Sequence, residues 1–140
     1  IRQLAQLLCQ SEWLFSEMIH AHSMDKMREL LCLHSDDNDT RVLSPSAIGK
    51  RSVDILLINT LLPYRYAYAL AHHDEQGAQE MLEWMQRIPA EDNSIIRQWR
   101  LIGQQVRSAA DTQALIHLYQ HYCQNQQCIN CEVGKLVFLQ

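Results

Sequence analysis

Three of the chain's five cysteines fall within one short stretch, YCQNQQCINC, as Cys123, Cys128 and Cys131. Thiolate sulfur binds zinc and iron, and two cysteines separated by two residues can place both sulfurs on one ion through a tight knuckle. Cys128 and Cys131 have that spacing, and Cys123 is close enough in sequence to add a third sulfur. A structural zinc takes four ligands. His117 and His121 precede the cysteines and stand four residues apart, so on a helix both leave from one side, and either can close the site. Cys9 or Cys32 can also reach it through tertiary packing. Zinc is the first cofactor expected and an iron–sulfur cluster the second. A redox-active dithiol is a further reading, although no thioredoxin-like strand-to-helix context surrounds the pair. The plain alternative is a turn that contains thiols.

A second constellation is AIGKRSVDILL, where Gly49, Lys50 and Arg51 precede an apolar helical run. Exposed amides at a helix start beside two cations suit a phosphate. The pattern is similar to a DNA-binding helix-hairpin-helix element, but Ala47 stands where that motif has its first glycine. One glycine before Lys50 does not make a P-loop. Arg97 and Arg100 lie three apart on one helix face, and with Lys50 and Arg51 they form the candidate nucleic-acid surface. The cysteine cluster downstream gives a remote likeness to iron–sulfur DNA glycosylases. That family's four cysteines, its spacing and its catalytic aspartate find no match here. His72 and His73 are adjacent, about 100° apart on a helix, and read as a polar helix end. Asp54 interrupts an apolar run and is expected to pair with Arg65 or Lys50. No nucleophile, base and orienting group can be assembled, so whether the chain is an enzyme stays open.

The elements that must position these residues are helices. Residues 53–62 (Val53, Ile55, Leu56, Leu57, Ile58, Leu61 and Leu62) are apolar on nearly all sides, which predicts a buried central helix that Pro63 ends or kinks. Amphipathic helices flank it, with Ser23 and Asn93 as caps and Gly103 as a stop. A last long helix from about Asp111 to Tyr122 leads into the cysteines. The expected fold is an all-α single-domain bundle over residues 1–140, wrapped around the central helix and closed by a cysteine-containing C-terminal turn. SDDNDT, at 35–40, reads as a solvated loop, because it lacks the glycine and distant glutamate of a calcium loop.

A chain of 140 residues with 47% hydrophobic and 20% charged content is globular, and a formal charge of -4 gives no global pull toward nucleic acid. No secretory leader or membrane span is evident, so reduced thiols in a cytoplasm are expected. The missing initiator Met points to a fragment of a longer protein.

Four stretches carry a family resemblance: IRQLAQLL, IGKRSVDILLINTLLPYRYAYA, IPAEDNSIIRQWRLIG and SAADTQALIHLYQHYCQNQQCINCEVGKL. They resemble the bacterial domain-of-unknown-function family 2851, mostly from Bacteroidetes. The resemblance implies that this chain is the C-terminal part of a protein of several hundred residues, with its own upstream domain as a partner. It implies no reaction.

Overall fold

The computed structural model describes residues 13–31 and 49–138. The expectations for Cys9, Cys32, the acidic loop at 35–40 and Ala47 lie outside the described residues. Within them the chain is an all-α helical domain ending in a cysteine-containing turn. The one strand-like feature among the described residues is an isolated antiparallel bridge between Pro89 and Ser108. The fold divides into two compact units, 1–81 and 82–140.

In the first unit, α1 (Leu14–Ile19) and α2 (Met24–Leu31) precede a long helical rod. Ser23 caps α2 as expected, its hydroxyl accepting from the Lys26 amide at 3.1 Å. The rod runs as α3 (Lys50–Leu56), a π-helical turn (Leu57–Leu61) and α4 (Leu62–Ala71). Pro63 therefore does not end it. A proline inside a helix lacks a donor and crowds the carbonyl four residues back. The π turn is the adjustment, with the Leu62 amide donating five residues back to Leu57. That wider turn keeps Leu57 and Leu62 together in the core, at 0% and 1% exposure, with Val53 and Ile58 beside them. Burial is less complete than the apolar run suggests, because Ile55 is 46% exposed.

Asp54 pairs with neither expected partner. Its carboxylate accepts from Arg28 of α2 at 3.0 Å, tying α2 to the rod. Arg65 instead donates to the Ala21 carbonyl at 2.6 Å, and burial lowers its pKa, against the opposing pull of Glu80 and Asp74. The rod closes in a Schellman arrangement, with Asp74 N–H on the Ala69 carbonyl and His73 N–H on that of Leu70. His73 occupies the left-handed position at φ 57, and His72 stacks on Tyr68 with ring centroids 3.9 Å apart. The histidine pair is a helix end, as expected.

The unit boundary falls inside α5 (Glu75–Arg87). In the second unit, the Ala109 amide donates to Ile88 at 2.8 Å and the Ala90 amide to Arg107 at 3.3 Å, drawing the two ends of a loop together. Between them lies α6 (Ser94–Leu101), capped by Asn93 through the Ile96 amide at 3.0 Å. Gly103, at φ 89, ends it as expected. Ile102 lies beyond the last turn and is 74% exposed. The next helix, α7 (Ala109–Leu118), starts two residues earlier than expected because Ser108 and Asp111 form a capping box. Its most buried positions are Ala109 and Thr112. Thr112 and Gln113 both donate to the Glu91 carboxylate.

Candidate functional site

The cysteines are positioned by the way α7 ends. The helix widens into a second π-helical turn, Tyr119–Cys123, in which the Gln124 amide donates five residues back to Tyr119 at 2.8 Å. A Schellman arrangement then reverses the chain. The Gln127 amide reaches the Tyr122 carbonyl at 2.9 Å and the Gln126 amide reaches Cys123 at 3.1 Å. Gln126 takes the left-handed position at φ 55, where glycine is the usual occupant. The Asn125 side chain donates to the carbonyls of Gln120 and His121, satisfying groups that the helix end leaves open.

After the reversal, Cys128–Asn130 forms a 3-10 turn, closed by Cys131 N–H on the Cys128 carbonyl at 3.2 Å. The last helix, α8 (Glu132–Phe138), follows at once. Gly134 of α8 lies against the backbone of Cys128. A Cβ on Gly134 would stand 2.0 Å from the Cys128 carbonyl oxygen, so only glycine fits this approach.

Cys123, Cys128 and Cys131 all line one partly open cavity of about 160 Å³, whose other walls include Trp99, Leu118, Tyr122 and Val133. All three thiols are free; Cys123 and Cys128 are exposed and Cys131 is buried. Burial pushes the Cys123 thiol pKa up, and Cys131 and then Cys128 push it further, since nearby thiolates oppose another negative charge. The structure thus brings these three residues to one cavity. Among the described residues, no three His, Cys, Asp or Glu side chains are already arranged as a metal-binding group.

His117 and His121 do share a helix side, and their rings pack on each other with centroids 4.1 Å apart. Both are exposed, and neither is among the cavity-lining residues. The residues that sequence reasoning missed here are Trp99, Leu118 and Val133, which supply the apolar wall, and Gly134. A glycine three residues past a cysteine inside a helical stretch was the available signal for the last.

The nucleic-acid candidates fare differently. Gly49 is the N-cap of α3 at φ -61, a conformation open to any residue, and nothing lies within 4 Å of where its Cβ would be. Lys50 and Arg51 are exposed at the start of α3, in the first unit, whereas Arg97 and Arg100 belong to the second. Arg97 grips Asp92 with two hydrogen bonds, at 2.9 and 3.1 Å, which raise its pKa, and Arg100 approaches the same carboxylate at 3.9 Å. Both arginines thus reach the same exposed carboxylate of this chain, Asp92. Among the described residues no helix is long and apolar enough to cross a membrane.

A family model described as "Protein of unknown function (DUF2851)" matches residues 1–94 of the 140. The match ends before α7 and does not include Cys123, Cys128 or Cys131. No curated protein and no solved structure matches the chain.

Proposed function

Since the chain belongs to the DUF2851 family of proteins of unknown function, we propose a role from the thiol cluster itself: the C-terminal turn is a zinc-binding element. Cys123, Cys128 and Cys131 supply three thiolates, and His121 or His117 is the protein candidate for the fourth position. One observation carries this reading, the common cavity lined by all three cysteines.

The ion gathers its ligands instead of meeting a finished cage. Cys123 and Cys128 are exposed, so rotation about χ1 can turn their sulfurs toward the buried Cys131. A divalent cation opposes both causes of the raised Cys123 pKa, burial first and then the nearby Cys131 and Cys128 sulfurs, because its positive charge favours the thiolate. His121 sits in the π turn, two residues before Cys123, and joins the ion only if that turn unwinds. Without it, a solvent molecule takes the fourth place, as in zinc sites that keep one position open. The bound ion fastens α8 to the end of α7, so its role is to hold the C-terminal element in place.

The test is elemental analysis of protein purified without added metal, repeated on Cys128→Ser. The expected result is about one zinc per chain, lost in the variant. Zinc and iron absent from both, with every thiol of the stretch freely titratable, would refute the reading.

A further inference from the structure

We infer that Cys128 and Cys131 are a reversible dithiol–disulfide pair that exchanges with low-molecular-weight disulfides, with Cys128 as the attacking and Cys131 as the resolving residue. This deepens the thiol-site reading above and gives it a redox control, because sulfurs joined to each other cannot ligate an ion.

The geometry rests on the 3-10 turn. Residues three apart in a 3-10 turn lie one above the other, with a rise of about 6 Å over the three steps. A disulfide needs Cα atoms about 4.4–6.8 Å apart. The hydrogen bond from Cys131 N–H to the Cys128 carbonyl, at 3.2 Å, fixes the two residues in that relation. Cys123 belongs to the preceding helical segment, on the far side of the Gln126 reversal, and no such bond links its backbone to the pair. The cap position of Cys131, with φ -94 and ψ 131, lets its side chain leave the turn without left-handed strain.

Exposure assigns the roles. Cys128 faces solvent, and Cys131 is only 5% exposed. A disulfide arriving from solution can be attacked by Cys128, whereas Cys131 is open to an intramolecular partner. The sequence of bonds follows. The Cys128 thiol loses its proton and its sulfur attacks RSSR, forming a Cys128–SR bond and expelling RS⁻. Cys131 then loses its proton and attacks the Cys128 sulfur, forming the internal disulfide and expelling the second RS⁻. The two protons pass to the two thiolates released. The protein is oxidised by two electrons and RSSR is reduced to two RSH.

The reduced, metal-free full chain is incubated with oxidised glutathione. Its thiols are then mapped by differential alkylation and fragment mass spectrometry. The expected product is a Cys128–Cys131 disulfide with Cys123 alkylated, fully reversed by dithiothreitol. Cys131→Ser should stop as a glutathione adduct on Cys128, and Cys123→Ser should still form the disulfide. A wild-type product that links Cys123, that remains a mixed disulfide, or that leaves all thiols reduced overturns the inference. Zinc binding by the reduced chain is measured separately. Zinc bound without a disulfide under oxidation defeats this inference alone, and a disulfide formed by a chain that binds no zinc defeats the metal reading alone.

Discussion

Replacing Gly134 with Ala should loosen the thiol site even though alanine is the better helix former. A Cβ at this position would lie 2.0 Å from the Cys128 carbonyl oxygen, 2.8 Å from its carbon and 3.1 Å from its Cα. These are backbone atoms, so no side chain can swing aside, and the gap must widen by roughly 1 Å or more. Forcing extra atoms into a packed contact costs about 1–3 kcal/mol. Helix propensity returns about 1 kcal/mol for Gly→Ala in a helix interior. A seven-residue helix cannot absorb the shift along its length, so the steric term wins and α8 lifts from the 3-10 turn. A local loss of about 1.4 kcal/mol raises the open population tenfold. The assay is the rate of Cys131 alkylation under native conditions, since this thiol is 5% exposed and reacts through opening. G134A should react about tenfold faster than the parent. Gly49→Ala, where nothing lies within 4 Å, serves as the control and should leave the rate unchanged. Parental alkylation kinetics in G134A would refute the argument that this glycine holds the turn.

Other substitutions separate the remaining forces. Gln126→Gly relieves a left-handed non-glycine residue and should stabilise the chain by about 1 kcal/mol, read as a higher urea midpoint. Leu57→Ala, at a fully buried position, should cost about 2–5 kcal/mol in the same experiment. Asp111 accepts from the Arg107 and Ser108 amides, and those bonds depress its pKa, so its stabilisation is present above the ordinary carboxylate range and lost as pH falls through the lowered folded value. Asp111→Asn should therefore cost about 0.5 kcal/mol near neutral pH and nothing once the parent's carboxylate is protonated, checked by urea unfolding along an acid series.

Helix identity was legible because it rests on local signals. Ser23, Asn93 and Gly103 act in the structure as their residue types suggest. The 53–62 run was legible as helix for its length and lack of alternation, but the π turn was not, because it resolves a conflict between Pro63 and the need to bury both Leu57 and Leu62. His73 and Gln126 sit where glycine is usual, so neither helix end was marked by composition. Charge pairing was the least legible layer. Asp54 finds Arg28, which lies 26 residues away, and Arg97 finds Asp92 just before its own helix. Both choices depend on tertiary packing and side-chain direction. For the cysteines, spacing alone suggested a cluster, whereas the reversal at Gln126 and the close approach of Gly134 to Cys128 depend on backbone geometry that spacing does not carry.

The zinc-binding role requires three thiols to act together on one ion. Cobalt(II) titration of the reduced, metal-free chain, followed by absorption, tests this most directly, because thiolate ligation gives intense sulfur-to-metal charge-transfer bands that hydrated cobalt lacks. Bands should appear that saturate at about one equivalent, are displaced by zinc, and weaken in each of Cys123→Ser, Cys128→Ser and Cys131→Ser. A titration that leaves only the pale spectrum of cobalt in water, or bands indifferent to Cys123 and Cys131, would contradict it.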